Sequence, residues 1–360
     1  MSIRTRPRSE QRTESNVTKA DLDWANLDFG YHKTDFNIRY MFRNGQWDEG
    51  VLTPDETVPM HIAATCLHYG QECFEGLKAF ETRRGEVVAF RPDENAARII
   101  RSCKKILMEP VPAPMFIDAI ERVVNANRKY VPPYGTGASL YIRPLVIGTG
   151  PQVGVKPATE FMFLVLVTPV GPYFKTGFKP VDLVVEEEVD RAAPLGVGDV
   201  KVGGNYAAGI RATMAAKKRG FTEVLYLDAK EKHFIDESGP ANFFGITKDG
   251  QYVTPASPSI LPSITNKSLL TLAEEMGMRP QQRPIHVNEL FDFVEAGCCG
   301  TAAVITPVGT ITYRDQKIVY SQDGRPGRLT TELYQRLRAI QLGDAPDRYG
   351  WVHKIPPPQE

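Results

Sequence analysis

The sequence predicts an α+β fold, and three observations carry the prediction. Apolar runs of strand length and helical periodicities are mixed irregularly, without the repeating βαβ rhythm of a parallel sheet. The 360 residues, 42% of them hydrophobic, suffice for one large or two ordinary domains with real cores. A stretch punctuated by Gly and Pro, GPYFKTGFKP at 171–180, separates two of the strongest strand signals and reads as a linker.

The elements follow in chain order. The opening MSIRTRPRSEQR is basic and polar and lacks the apolar core of a secretory signal, so residues 1–26 read as a flexible leader. Asp93 to Leu107 follows Pro92 and carries apolar residues at helical spacing. FMFLVLVTPV at 161–170 is a continuous apolar run, as a buried strand requires, and VDLVVEEEV at 181–189 reads as a half-buried one. Tyr206 to Arg219 is alanine-rich and stops at Gly220, where a missing Cβ permits a left-handed cap. Asn266 to Met276 stops the same way at Gly277. The tail, 346–360, ends in HKIPPPQE and reads as loose.

Composition excludes several functions. Lys and Arg total 43 and Asp and Glu total 43, so no bulk field favours nucleic acid or a membrane surface. No apolar run approaches the roughly 20 residues that span a bilayer. The five cysteines, Cys66, Cys73, Cys103, Cys298 and Cys299, form no C-x-x-C pair and suggest neither a disulfide framework nor a metal site. Reduced thiols in a cytoplasmic protein fit best. No G-x-x-x-x-G-K-[ST] loop occurs, and GVGDVKVGG does not match a dinucleotide-binding turn.

Candidate chemistry concentrates in EEEVDRAAPLGVGDVKVGGNYAAG (186–209), which sets Lys201 in a glycine-rich, nearly uncharged run followed by Tyr206. A lysine that condenses with an aldehyde needs surroundings that favour its neutral amine. Within this window alone, a solvated loop lysine is the competing reading. IDESGPANF places Asp236 beside Glu237; neighbours on a strand face opposite ways, and the residues themselves leave the choice between the two even. PSIT before the helix at Asn266 offers a helix N-terminus, whose free N–H groups and dipole favour anions.

Together with HYGQECFEGLKAF, RPDENAARI, SLYIRPLVIGTG, DESGPANFFGIT, SILPSITNKSLL and CGTAAVITPVG, this window resembles the branched-chain aminotransferases, pyridoxal-phosphate enzymes of fold type IV, from about Leu27 to about Gly343. The resemblance implies a smaller N-terminal domain (27–170), a larger C-terminal domain (181–345) and pyridoxal 5'-phosphate between them. It implies Lys201 at the aldehyde, Glu237 at the ring nitrogen and Tyr206 at the phenolic oxygen. Arg98, Ile264, Thr265 and Thr301 would meet the phosphate. Phe29, Tyr69 and Phe74 would form an aromatic wall, Tyr141 and Arg143 its polar end, and the N–H groups of Ala302 and Ala303 a seat for the substrate carboxylate. Val153 and Val155 match residues that reach in from a partner subunit, so a homodimer or higher oligomer is implied. Some relatives carry a redox C-x-x-C after the GTA motif; Ala303 and Thr306 stand at those positions here.

The expected activity is amino transfer from L-leucine, L-isoleucine or L-valine to 2-oxoglutarate, giving 2-oxo acids and L-glutamate. D-amino-acid aminotransferases and aminodeoxychorismate lyases share the fold and are the nearest rivals. The YIRP strand and the long N-terminal segment favour the branched-chain group.

Overall fold

The computed structural model describes residues 18–171 and 177–358. The start of the expected leader (1–17), the middle of the expected linker (172–176) and residues 359–360 of the tail lie outside the described residues.

Two nine-stranded sheets organise the described residues. The first is antiparallel throughout and runs Val352–Lys354, Val87–Phe90, Leu77–Glu81, Ser139–Gly148, Phe161–Val170, Asn37–Arg43, Gln46–Trp47; Val51–Thr53 and Glu72–Phe74 pair onto its side. The run predicted as a buried strand at 161–170 is one, with all but one of its ten residues buried. The expected loose tail is corrected in its first residues. Val352–Lys354 pairs with Val87–Phe90, and Ile355 is buried.

The second sheet is mixed and curls on itself. Ile235–Ser238 pairs with Glu223–Leu227 on one side and Ala241–Thr247 on the other, which closes six strands into a ring. Leu183, Leu225, Ile235, Phe243 and Ile311 fill its interior. The adjacent thiols, opaque in the sequence, belong here. On the strand Phe293–Gly300, Cys298 faces this interior while Cys299 faces the layer of Phe244 and Leu269, so each is a small apolar filler on its own side.

Among the described residues six helices flank the sheets: α1 Thr65–Tyr69, α2 Pro92–Lys105, α3 Ala113–Ala126, α4 Gly203–Lys218, α5 Ile264–Glu275 and α6 Arg328–Gln341. α2 starts on Pro92, carries Asp93 and Glu94 in its first turn and Lys104 and Lys105 in its last, which suits the helix dipole at both ends. α4 begins three residues before the predicted start. The Gly203 N–H donates to the Glu72 carboxylate, a cap supplied by the first sheet. Both predicted glycine stops hold, with φ of 89° at Gly220 and 78° at Gly277. α2 and α3 pack Ile99, Phe116 and Ile120 on the first sheet. α5 and α6 join the sheets through Phe80 and Val88 of the first and Phe244 and Ile305 of the second. Among the described residues, no helix is long and apolar enough to cross a membrane.

Candidate active site

A cavity of about 700 Å³ lies where the two sheets meet. The first sheet and its flanking segments contribute Phe29, Phe74, Arg98, Tyr141 and Arg143 to its wall. The second contributes Lys201, Tyr206, Ile264, Thr301, Ala302 and Ala303. Predicted site residues distant in sequence are thus brought together.

Lys201 is held from both sides just before α4. Its N–H donates to Ser102 Oγ at 3.1 Å, and its C=O accepts from the Phe74 N–H at 3.0 Å. Its Nζ lies 2.7 Å from Tyr206 Oη and 4.7 Å from the centre of the Phe74 ring. Burial, and then the charge of Arg98, push its pKa down to about 7. The amine is therefore substantially neutral near neutral pH. Burial and the charge of Glu237 push the Tyr206 phenol up, so it keeps its proton.

The two carboxylates differ in their partners. Glu237 Oε1 accepts from the Leu261 N–H at 2.8 Å and from Asn242 Nδ2 at 3.2 Å, both from residues that line the cavity. Glu237 Oε2 faces Arg191 Nη1 at 3.1 Å. Burial raises its pKa to about 7 against the pull of Arg191. Asp236 lies on the same strand with its Oδ1 unpaired, and burial raises it too.

Arg98 is more occupied than the sequence suggests. Its Nε and Nη2 grip Glu75 at 2.6 and 2.8 Å, and its Nη1 donates to Pro262 O at 3.0 Å. A guanidinium has five N–H donors, so two remain for an anion in the cavity. Ser263 caps α5 through the Asn266 N–H at 3.1 Å. The first N–H groups of α5, at Ile264 and Thr265, have no acceptor within the helix. Thr265 is buried behind the cavity surface.

At the other end, Tyr141 and Arg143 are half-buried while Ile142 between them is fully buried, as strand alternation demands. Arg143 Nη2 donates to Tyr141 Oη at 2.9 Å, and the guanidinium sits 4.7 Å from the Phe74 ring centre. Phe29 meets Tyr141 edge to face at 5.4 Å. The turn at Ala302 is held by Lys78, whose Nζ donates to Ala302 O at 2.7 Å. Burial pushes the Lys78 pKa down to about 7. Tyr69, Val153 and Val155 are not brought into this cavity: Tyr69 Oη donates to Val153 O, and the two valines are 84% and 85% exposed.

Glu75, Lys78, Arg191 and Asn242 escaped the sequence reading. Glu75 and Lys78 stand inside the quoted FEGLKAF and Arg191 inside the Lys201 window, but only tertiary pairing distinguishes them from solvated charges.

The family described as Amino-transferase class IV matches residues 72–311. The branched-chain-amino-acid aminotransferase of Haemophilus influenzae is 48% identical over 341 residues, covering 93% of this chain and 99% of the relative. That of Helicobacter pylori is 46% identical, covering 93% and 98%. The crystal structure of the Escherichia coli branched-chain amino acid aminotransferase superimposes with a TM-score of 0.75 at 27% identity, covering 90% of this chain and 100% of that one. The T.th. branched-chain amino acid aminotransferase complexed with N-(5'-phosphopyridoxyl)-L-glutamate does so at 0.72 and 28%, covering 89% and 98%. With its own fold and a lysine-centred cavity between two sheets, the chain belongs to the class IV aminotransferases.

Proposed function

We propose that this chain is a branched-chain-amino-acid aminotransferase that uses pyridoxal 5'-phosphate, moving the amino group of L-leucine, L-isoleucine or L-valine to 2-oxoglutarate. The observation that carries the proposal is a buried lysine amine, held near neutrality, in a cavity whose polar groups suit the three polar ends of that cofactor. Ile264 and Thr265 N–H, the spare donors of Arg98 and the Thr301 hydroxyl suit a phosphate. Glu237 suits a protonated ring nitrogen and Tyr206 a phenolic oxygen. When bound, the cofactor supplies an electron sink for the charge left on the substrate Cα.

The chain's residues supply the rest. The Lys201 amine would hold the cofactor's aldehyde and, when free, would act as the base that takes the proton from the substrate Cα. Glu237, whose anionic form Arg191 favours against burial, would face the ring nitrogen and stabilise its protonated form. Ala302 and Ala303 offer backbone N–H groups to the substrate α-carboxylate. Phe29 and Phe74 pack the aliphatic chain, and Tyr141 with Arg143 takes the second carboxylate of 2-oxoglutarate or glutamate. One pocket serves both substrates because Arg143 keeps its hydrogen bond to Tyr141 and its place against the Phe74 ring when an aliphatic chain is bound, while its buried Nε has no partner until a second carboxylate arrives. The exposed Val153 and Val155, with Tyr69 behind them, would complete the wall of a partner's cavity in a homodimer. Balanced charge and the absence of any membrane-crossing helix among the described residues agree with a cytoplasmic enzyme.

The test is the visible absorption of the protein before and after L-leucine is added alone. Because the enzyme holds the amino group between half-reactions, leucine should bleach the band without any acceptor. A band that ignores leucine but responds to D-alanine would replace this proposal with a D-amino-acid enzyme. A protein that takes up no pyridoxal phosphate would end it.

A further inference from the structure

Arg191 is 8% exposed and follows the strand Val181–Glu186. It touches neither substrate nor cofactor in the roles above, yet three separate segments meet on its guanidinium. Nη1 faces Glu237 Oε2 at 3.1 Å. Nη2 donates to Gly198 O at 3.0 Å and also to Ser259 O. Gly198 belongs to the loop that delivers Lys201, and Ser259 to the loop that leads into α5. These loops approach so closely that a Cβ on Gly198 would stand 2.3 Å from Ser259 O and 3.0 Å from Arg191 Nη2. Arg191 Nε is buried without a partner, so the two Nη groups alone anchor the head.

We propose that Arg191 is a positioning residue, a role that rests on the assignment of Glu237 to the cofactor's ring nitrogen. Its fork fixes the Glu237 carboxylate and ties the Lys201 loop and the α5 loop to that same point. Three contacts that the cofactor must find at once, at its aldehyde, ring nitrogen and phosphate, thus share one anchor. Charge supports the geometry. Burial and the neighbouring Asp236 push Glu237 towards holding a proton. Arg191 opposes this most strongly, ahead of the Leu261 N–H and Lys201. A protonated Glu237 could not neutralise a pyridinium. Lysine cannot replace the fork, because one ammonium on a longer flexible stem does not span all three acceptors in a fixed plane.

The experiment titrates pyridoxal phosphate into apoenzyme of the wild type, Arg191→Met, Arg191→Lys and Glu237→Gln. Absorbance reads Kd, a pH series reads the midpoint of the visible band, and steady-state kinetics read kcat and KM for L-leucine. Arg191→Met is expected to weaken cofactor binding about 10–100-fold, the range that loss of an outer positioning contact produces at metal sites, and to lower kcat while KM changes little. Arg191→Lys should recover part of the loss. Glu237→Gln added to Arg191→Met should cost little more, because both act through one contact. A folded Arg191→Met with wild-type Kd and band midpoint, differing only in melting temperature, would overturn the proposal. If Arg191→Met does not fold, Arg191→Lys decides: a Kd weaker by about 3-fold or more supports the proposal, and a wild-type Kd overturns it. Wild-type protein that binds no pyridoxal phosphate would remove the parent assignment instead.

Discussion

Glu75→Gln is expected to destabilise the apoprotein by about 3–5 kcal/mol, the cost of breaking a buried ion pair by neutralising one partner. The structure says why the shape-conserving change is still severe. The fully buried carboxylate accepts four hydrogen bonds: Arg98 Nε on Oε1, and Arg98 Nη2, Asn95 Nδ2 and the Gly76 N–H on Oε2. A glutamine must aim its NH₂ at one of these groups of donors. The better orientation sets it against Arg98 Nε, which loses one charge-assisted bond and leaves the buried guanidinium without its counter-ion. At an m-value of about 3 kcal/mol/M, the urea midpoint of the apoprotein should fall by roughly 1–1.7 M. In the proposed binding mode pyridoxal phosphate would bring an anion to Arg98, so the drop should be smaller in the holoprotein. The Glu75 pKa lies below its ordinary value, where the charge of Arg98 and its hydrogen bonds outweigh burial. Its contribution is therefore complete above the ordinary carboxylate range and is lost as the pH falls through the depressed value, so the variant and wild type should converge in acid. An apoprotein midpoint that moves by less than about 0.3 M, roughly 1 kcal/mol, would refute the reasoning.

Three further predictions follow from the cavity. With the Lys201 pKa near 7, apoprotein should take up pyridoxal phosphate faster as the pH rises to about 7 and level off above it; stopped-flow rates still climbing at pH 10 would show an ordinary lysine. Arg143→Ala should raise KM for 2-oxoglutarate by about 10–100-fold and for leucine far less, since only the former loses a charged hydrogen bond; equal changes would remove Arg143 from that role. Gly76→Ala puts a Cβ 2.2 Å from Tyr141 Oη, so the ring must swing and release Arg143. KM for 2-oxoglutarate should rise while stability changes by no more than about 1 kcal/mol, and unchanged kinetics would show that Tyr141 can yield without consequence.

What the sequence makes legible follows from locality. Strand Phe161–Val170 is visible because both faces are buried, leaving an unbroken apolar run. The glycine stops of α4 and α5 are visible because a left-handed cap needs only its own residue. The start of α4 is not, because its cap is Glu72 on the other sheet. Lys201 and Tyr206 stand close in sequence, and their side chains meet at 2.7 Å. Arg191 and Glu75 look like any surface charge until Glu237 and Arg98 arrive from elsewhere in the chain. The preference for Glu237 over Asp236 needed the resemblance, since strand alternation alone says only that the two differ.

The short strand Val352–Lys354 carries a consequence for biosynthesis. It covers the outer edge of Val87–Phe90, a wholly buried VVAF segment made early in translation. Until residue 354 leaves the ribosome, that edge stands open with unpaired backbone and apolar side chains, the template on which chains aggregate. A nascent chain of this protein therefore depends on protection of its first sheet through most of synthesis, and a product stopped at Gly350 should be insoluble although every catalytic side chain is present.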